Sequence, residues 1–360
     1  MSKKIYSVIK ASGSYIPKKV VPNQDFLSSE FYDASGEKID KDNSEIVEKF
    51  QQITEIEERR YVEKELVTSD IGFFAAQEAL NSSNIDKESL DYIIVAHNFG
   101  DINDTNRRSE FVPTLAARIK YKLGIDNPNT VAYDLPFGCP GWLQAVIQAD
   151  YYIKSGDAKR VLVIGADTLS RICDPHDRDS MIYADGAGAV ILEGEESETP
   201  IGILAHKTRS DTRDHAFMLQ MGKSSNPDYK GSELFLKMQG RKLYEYALKT
   251  VPQAIKDCLD KSNTHLSEIK KVLIHQANGK MDDAILKRLY RLYDKVEIPK
   301  NIMPMTISWL GNSSVATLPT LLDLIIKSKF NPHSFTKGDM LVFASVGAGM
   351  NINSMIYKVK

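Results

Sequence analysis

The second half of the chain repeats the pattern of the first half about 179 residues later, and this repeat limits the possible folds more than any other sequence feature. The segment Leu80–Asn84 recurs as Leu259–Asn263 with Leu, Ser and Asn at matching positions, and an apolar run follows each copy. The run Val161–Val163 is matched at the same spacing by Met340–Val342. Self-similarity over so long a stretch indicates that one folding unit has been duplicated.

Both halves alternate strand patterns with helix patterns. Short apolar runs bounded by turn residues predict buried strands, at Tyr92–Ala96, Val161–Gly165, Ala187–Leu192, Val272–Ile274 and Met340–Ser345. Longer helical patterns lie between them, at Asp70–Leu80, Gly141–Ser155, Lys242–Leu259, Lys280–Tyr293 and Leu318–Ser328. We therefore predict an α/β fold of two related units, residues 1–195 and 196–360.

Two polar segments interrupt this alternation. Ser35–Asn43 is rich in Asp and Lys, and Arg213–Gly231 is polar and contains glycine. Segments of this kind predict exposed loops, which are candidates for lids or insertions.

Charge and cysteine content exclude several classes of protein. The chain has 46 Lys and Arg against 48 Asp and Glu, so its formal net charge of −2 predicts no binding of nucleic acid or an anionic membrane. Three cysteines without a CxxC pair encode neither a disulfide framework nor a zinc knuckle, and predict a cytoplasmic setting. No run of about eighteen apolar residues predicts a membrane span, and charges in the first ten residues predict no secretory signal.

The repeat also predicts that three chemically active side chains converge. A spacing of 173 residues sets Cys139 opposite Asn312, each after a glycine at the start of a helix, while the 179-residue spacing places His275 at a strand end opposite Ala96. Ligands of α/β sheets bind where strands end and helix N-termini point inward. We therefore expect the thiol, the imidazole and the amide to share one site.

Cys139 has the surroundings of a nucleophile. Glycines at 138 and 141 permit a sharp turn, and Pro140 as the first helical residue would make Cys139 the N-cap. The helix dipole there favours an anion, so the thiol pKa is expected below the free value of about 8.5. The alternative is a small buried apolar side chain. Cys173 and Cys258 lack the surroundings of Cys139 and are expected to fill space in the core or at the surface.

His275 and Asn312 are the candidate partners of the thiol. His275 ends an apolar strand and opens a polar run, whereas the other six histidines lack this context and are expected to be structural. Asn312 alone could equally be a helix cap, since Asn is preferred there. The turn Ser345–Gly349 follows a buried strand and can present backbone N–H groups to an oxyanion.

These motifs, in this order, resemble the beta-ketoacyl-acyl-carrier-protein synthase III family of the thiolase superfamily. The resemblance rests on Gly138-Cys139-Pro140-Gly141, His275-Gln276-Ala277-Asn278, Gly311-Asn312-Ser313-Ser314, Gly347-Ala348-Gly349 and the stretch Asp177 to Ala189. It extends from about Ile5 to Tyr357. It implies a five-layered αβαβα sandwich of two duplicated halves, working as a homodimer.

The resemblance also implies a reaction. Cys139 would carry an acyl group as a thioester, while His275 and Asn312 hold the carbonyl of a malonyl-type extender on an acyl carrier protein during a decarboxylative Claisen condensation. The backbone N–H groups of Cys139 and Ala348 would form the oxyanion hole. Such chemistry implies no metal or redox cofactor, only acyl thioesters on coenzyme A or on the carrier protein.

A basic helix face predicts where an acidic carrier protein would dock. Lys280, Lys287 and Arg288 follow the His275 strand, and with Arg291 they occupy one side of the helix. A solvated charged surface is the alternative. The family docks its carrier at this helix, although Glu245 stands where the family tends to have a further cation.

Two departures from the family pattern concern the substrate. The stretch Lys49–Arg59 lacks the aromatic residue, one basic residue and the glycine of the coenzyme A clamp, which favours a carrier-bound donor. Val112 replaces an aromatic residue before Pro113, which predicts a roomier acyl pocket. Both changes resemble relatives that make specialised lipids such as dialkylresorcinols and pigments.

Several alternatives therefore stay open at this stage. A relative of this kind could condense two longer acyl chains, or transfer an acyl group without condensation. Cys139, His275 and Asn312 could instead form a Cys-His-Asn hydrolase triad, or the protein could be a carrier-binding scaffold without activity.

Overall fold

The computed structural model describes residues 3–294 and 296–360 of the chain. Met1 and Ser2, which belong to the amino-terminal segment considered above, and Lys295 lie outside the described residues. The strands are β1 (Lys4–Tyr15), β2 (Lys19–Pro22), β3 (Glu58–Tyr61), β4 (Tyr92–His97), β5 (Asp101–Ile102), β6 (Ser109–Glu110), β7 (Val131–Pro136), β8 (Arg160–Thr168), β9 (Asp185–Ser197), β10 (Gly202–Ser210), β11 (Leu219–Gly222), β12 (Phe235–Met238), β13 (Ile269–Ile274), β14 (Met340–Gly347) and β15 (Asn351–Lys358).

The helices include all five that the periodicity predicted, with ends that differ by a few residues at most. They are α1 (Asn43–Thr54), α2 (Thr68–Asn81), α3 (Leu115–Leu123), α4 (Gly141–Ser155), α5 (Thr212–His215), α6 (Gly240–Ser262), α7 (Gly279–Arg291), α8 (Ile307–Leu310) and α9 (Thr317–Ile326).

The two largest sheets in the described part of the chain have matching topologies. The first has the strand order β1-β9-β8-β4-β7 and the second the order β10-β15-β14-β13. In each, the first two neighbouring pairs are antiparallel and the next pair is parallel. The five predicted strands are confirmed as β4, β8, β9, β13 and β14, and the order of orientations confirms the duplicated fold.

Helices and sheets form five alternating layers. Helices α4 and α9 lie between the two sheets, and their side chains pack against both, as Trp142 and Leu321 do. Helices α2 and α3 cover the outer face of the first sheet, and α6 and α7 cover that of the second. The central helices are apolar on nearly all sides because they bury every face.

The connection between the sheets follows β9, which ends at Ser197, and β10 begins the second sheet at Gly202. The predicted division after residue 195 lies within the last residues of β9 and stays a prediction. No helix in the described ranges is both long and apolar enough to cross a membrane.

The two predicted loops have different structures. Ser35–Asn43 is irregular and mostly exposed, as expected. The interpretation of Arg213–Gly231 as a loop was wrong, because this stretch contains most of α5 and the whole of β11, which pairs with β12. Leu219 and Met238 of this hairpin line the main cavity, so it forms part of the wall of the candidate site.

Helix α7 contains an unusual buried carboxyl group. Asp282 is fully buried, and neither of its oxygens has a hydrogen-bond partner among the described residues. Burial raises the pKa of Asp282 well above its ordinary value of 3.8, and the nearby Glu55 carboxylate raises it further. Burial therefore favours the protonated form of this side chain.

We expect Asp282→Asn to stabilise the protein by about 1–3 kcal/mol at pH 8, because an amide does not have to take up a proton on folding and each unit of pKa shift corresponds to about 1.4 kcal/mol. Because the folded-state pKa exceeds the unfolded-state pKa, the folded protein binds this proton more tightly, and wild-type stability falls as pH rises above about 4. Denaturant unfolding at pH 5 and pH 8 should show a larger gain at pH 8. The exposed neighbour Asp283 provides the control Asp283→Asn, and equal gains at both pH values would contradict the prediction.

Candidate active site

Cys139, His275 and Asn312 line one cavity of about 730 Å³. Cys139 lies between β7 and α4, His275 directly follows β13, and Asn312 lies between α8 and α9. The cavity thus receives one residue from the first half of the chain and two from the second. The structure brings together the three residues that the sequence selected, while their catalytic roles stay predictions.

The loop that carries Cys139 contacts the turn after β14. Gly138 adopts a left-handed φ of 72°, and a Cβ atom added there would lie 2.9 Å from the Ala348 nitrogen. A Cβ atom on Gly347 would lie 2.7 Å from the Cys139 nitrogen. Both positions require glycine because the two backbones touch, and this contact brings the predicted oxyanion donors, Cys139 and Ala348, close together.

The environment of the Cys139 thiol differs from the expected one. Helix α4 begins at Gly141 with Pro140 as its N-cap, so Cys139 lies one residue before the N-cap. Burial raises the pKa of Cys139 to about 11, and a hydrogen bond from Ser314 lowers it only in part. The prediction of a low pKa for the Cys139 thiol is therefore wrong, because the loss of solvation raises this pKa more than the helix dipole lowers it.

His275 is an uncharged imidazole held at the end of β13. Its backbone N–H donates to the carbonyl of Ala344 at 2.9 Å, which continues the pairing with β14. Burial lowers the pKa of His275 to about 4. At neutral pH the ring therefore offers one N–H donor and one acceptor nitrogen, and its Nδ1 has no hydrogen-bond partner among the described residues.

Asn312 is fixed by backbone and side-chain bonds that leave its amide nitrogen available. Its backbone N–H donates to the Ile182 carbonyl at 3.0 Å, and its carbonyl accepts from Ala184 at 2.8 Å. Its Oδ1 accepts from the backbone N–H of Ser314 at 2.8 Å. The capping alternative is wrong, because the N-caps of the short helix Ser314–Ala316 and of α9 are Ser313 and Ala316. The bond to Oδ1 does not use the amide N–H groups of Asn312, which can act as donors.

Ser314 is a residue of this site that the sequence analysis quoted in a motif without assigning it a role. Its Oγ lies 3.4 Å from the Cys139 Sγ and accepts a hydrogen bond from Asn98 at 2.8 Å. The position of Ser314 two residues after Asn312 could have predicted that it lies at this site. No sequence feature could have predicted this for Asn98, because it lies in a loop 41 residues before Cys139.

The cavity has apolar walls and a charged mouth. Phe50 and Ile53 of α1, together with Leu236 of β12, lie on its walls. Charged side chains also line it, namely Lys41, Glu45, Lys49, Arg178, Asp179, Arg241 and Glu245. Val112 is 89% exposed and does not line the cavity. The effect of Val112 on the size of the acyl pocket therefore stays a prediction.

The predicted docking residues all lie on the exposed side of α7. Lys280, Lys287 and Arg288 are exposed. The Lys287 ammonium group pairs with Asp283 at 2.6 Å, and Arg288 donates to the carbonyl of Leu248 at 3.3 Å. Lys287 therefore adds less net positive charge than the sequence pattern suggested.

Glu245, which departs from the family pattern, pairs with the exposed Arg241 at 3.0 Å. Both residues line the cavity.

Within residues 3–294 and 296–360, no group of three or more His, Cys, Asp or Glu side chains is placed to hold a metal ion.

Comparison with known protein families identifies similarity over about half of the chain. The model of 3-oxoacyl-[acyl-carrier-protein] synthase III matches residues 133–212, and the model of the C-terminal part of the same family matches residues 259–359. The first match contains Cys139, and the second contains His275, Asn312 and Ala348.

Individual relatives agree with this assignment. Beta-ketoacyl-[acyl-carrier-protein] synthase III 1 of Vibrio cholerae is 34% identical over 356 residues, covering 98% of this chain and all of the relative. The crystal structure of 3-oxoacyl-[acyl-carrier-protein] synthase III from Aquifex aeolicus is 29% identical with a TM-score of 0.79, covering 98% of this chain and 99% of the other. The enzyme from Thermus thermophilus is 28% identical with a TM-score of 0.81 and the same coverage.

Proposed function

The chain belongs to the 3-oxoacyl-[acyl-carrier-protein] synthase III family of thiolase-fold enzymes, and we propose that it catalyses decarboxylative Claisen condensation. The acyl group is first stored on Cys139 and then joined to a malonyl-type extender carried by an acyl carrier protein. Covalent storage on sulfur divides one difficult reaction into two easier steps.

In the first step the Cys139 sulfur attacks the carbonyl of an acyl thioester. The bond between this carbonyl and the donor sulfur breaks, and the thiol proton of Cys139 leaves with the departing thiol. The N–H groups of Cys139 and Ala348 hold the negative oxygen of the tetrahedral intermediate.

In the second step the extender loses carbon dioxide. His275 and Asn312 each donate a hydrogen bond to its thioester carbonyl, so the electron pair of the breaking carbon–carboxylate bond is held as an enolate. The enolate carbon attacks the acyl group on Cys139 and a carbon–carbon bond forms. The Cys139 sulfur leaves as a thiolate and takes a proton from water. The product is a β-ketoacyl thioester.

The proposal depends on one observation, the presence of the three side chains in the lining of one largely apolar cavity. Two neutral donors suit an enolate, because an uncharged imidazole and an amide stabilise negative charge on oxygen without ion-pairing with the carboxylate that must leave. Low solvent access strengthens such hydrogen bonds.

The test is a reaction of the purified protein with an acyl donor and malonyl-acyl carrier protein. We expect release of carbon dioxide and a β-ketoacyl carrier protein, detected by mass spectrometry. An acylated product formed without carbon dioxide would instead indicate simple acyl transfer. Rapid hydrolysis of the acyl-enzyme without an acceptor would indicate the hydrolase alternative, and an unreactive Cys139 would indicate a scaffold.

We further propose that the acyl donor is attached to an acyl carrier protein rather than to coenzyme A. Ile53 occupies the cavity wall in the stretch where the family clamp places a basic residue. Condensation of two longer acyl chains is the alternative to a malonyl-type extender. Comparing malonyl with long-chain acyl extenders distinguishes these two reactions.

Reversing charge on α7 is expected to weaken carrier binding. We expect Lys280→Glu together with Arg288→Glu to raise the KM for malonyl-acyl carrier protein about tenfold, since each exposed contact contributes modestly and both side chains would repel an acidic partner. The KM for a malonyl-pantetheine thioester, which lacks the protein, should stay unchanged. Lys337→Glu, in a loop of residues 334–339 between α9 and β14, is the control, and an equal effect on both substrates would contradict docking at this helix.

Assembly, location and cofactor requirement also belong to this proposal. We expect a homodimer, which analytical ultracentrifugation would detect, and action in the cytoplasm. We expect condensation without an added metal or redox cofactor, because Claisen chemistry with a decarboxylating extender needs neither.

A further inference from the structure

We infer that Ser314 is a further residue of the active site, a positioning hydroxyl that donates a hydrogen bond to the Cys139 sulfur and is itself oriented by Asn98 and Asp167. The inference concerns the ionisation of the thiol, so it stands whichever acyl substrate the protein uses. It assigns a role to Ser314, Asn98 and Asp167, none of which the proposed mechanism uses.

The contact between Ser314 and Cys139 is short and excluded from solvent. The Ser314 Oγ lies 3.4 Å from the Cys139 Sγ, and Ser314 is only 2% exposed. Ser314 adopts a left-handed φ of 53°, which is uncommon for a residue other than glycine. The surrounding hydrogen bonds hold the residue in this conformation and direct its side chain towards the sulfur.

Asn98 determines where the Ser314 proton points. The Asp167 carboxylate accepts from the backbone N–H of Asn98 at 2.9 Å and from its Nδ2 at 2.6 Å. Because an ionised carboxylate only accepts hydrogen bonds, the amide nitrogen of Asn98 must face Asp167. The same nitrogen donates its second proton to the Ser314 Oγ at 2.8 Å. The Ser314 oxygen is therefore an acceptor from Asn98, which leaves its own proton for the sulfur.

Asp167 also competes for this proton. Burial raises the pKa of Asp167 to about 6, and hydrogen bonds from Asn98 and Ser314 oppose the rise. A serine hydroxyl has one proton and can serve one acceptor at a time. Among the described residues, the bond with good geometry is the one to Cys139, so we assign the proton to the sulfur.

The arrangement places a donor where the thiolate most needs one. The titratable groups around the sulfur are Asp167 on β8, His275 after β13 and Tyr183 beside Asn312. None of them supplies a positive charge at neutral pH, since burial keeps His275 neutral and Asp167 opposes a second anion. The Ser314 hydroxyl is thus the side-chain group that stabilises the thiolate.

The test measures the rate at which iodoacetamide alkylates Cys139 as a function of pH, with the modified peptide identified by mass spectrometry. We expect Ser314→Ala to raise the apparent pKa of alkylation by about one unit, as for loss of one hydrogen bond to a charged group. Below that pKa the rate should fall only about threefold, because a more basic thiolate is also more nucleophilic.

Two further variants keep the result interpretable. Ser314→Gly removes the hydroxyl but accepts a positive φ without strain, so it should reproduce the shift even if the alanine variant folds poorly. Ser313→Ala is the matched control, since the Ser313 hydroxyl lies near Thr317 and makes no bond to the sulfur. An unchanged apparent pKa in Ser314→Gly would overturn the inference and would indicate that the proton serves Asp167.

Asn98→Ala tests the orientation of the hydroxyl separately. Without the donor from Asn98, the Ser314 proton is free to rotate away from the sulfur, so we expect a rise in the apparent pKa that is smaller than in Ser314→Gly. No change in this variant would overturn the positioning role of Asn98. Because alkylation requires neither acyl donor nor carrier protein, a failure of the proposed condensation would be seen independently of this result.

Discussion

Replacing Cys139 by alanine is expected to abolish transfer of an acyl group to the protein. The described residues that line the cavity then include no thiol to attack the donor, so the acyl-enzyme mass should be absent at every incubation time. Intact-protein mass spectrometry after incubation with an acyl donor measures this. The expected loss is complete, because loading forms a covalent bond to this sulfur.

The other cysteines provide the control for this experiment. The Cys173 sulfur donates to the Leu169 carbonyl at 3.1 Å, and burial raises the pKa of Cys173 above its ordinary range. Cys258 is fully buried in the core between α6 and the second sheet. Cys173→Ala should therefore load like the wild type. Acylation that persists in Cys139→Ala would show that another residue is the nucleophile and would end the proposed mechanism.

Removing the two donors is expected to separate the two steps of the reaction. We expect His275→Ala and Asn312→Ala to form the acyl-enzyme but to lose about 10²–10³-fold in condensation, the usual effect of removing one preorganised donor to a developing oxyanion. Loading is measured by intact mass, and condensation by release of carbon dioxide from malonyl-acyl carrier protein. His265→Ala is the control, because His265 is exposed at the start of a short turn.

The pH dependence gives an independent check on His275. Because burial lowers its pKa to about 4, the ring stays neutral down to that pH and should impose no acidic limb on condensation between pH 5 and 7. A limb near pH 6.5 that disappears in His275→Ala would show that the ring is charged in the working enzyme. An equal loss of loading and condensation in His275→Ala would contradict its assignment to the second step.

The local pattern of the sequence was enough to predict the fold. Apolar runs marked β4, β8, β9, β13 and β14, since strands covered by helices on both faces leave no polar positions. The spacing of 179 residues indicated duplication, and the two sheets have matching strand orientations. The strands and helices that the sequence analysis omitted, such as β1, β10 and α1, carry more exposed and polar positions, which weaken the pattern.

The candidate site shows the same division between local and tertiary information. The glycines around Cys139, the polar run after His275 and the Asn312 motif marked three residues, because each needs a specific backbone turn in its own segment. The pKa of the thiol could not be predicted from the helix start, since it depends on how much solvent the surrounding layers remove. The exposure of the Val112 side chain could not be predicted either, because it depends on where its loop lies in the folded protein.

By itself the sequence determined the duplicated α/β architecture, the family and the three side chains of the cavity, because each is encoded within a short segment or a repeat. The tertiary structure alone decided that burial raises the pKa of the Cys139 thiol and of the Asp282 carboxyl group. It also decided that Ser314 contacts the sulfur and that Asn98 contacts Ser314. These properties arise from groups far apart in the chain, and desolvation and hydrogen bonding between such groups have no local sequence pattern.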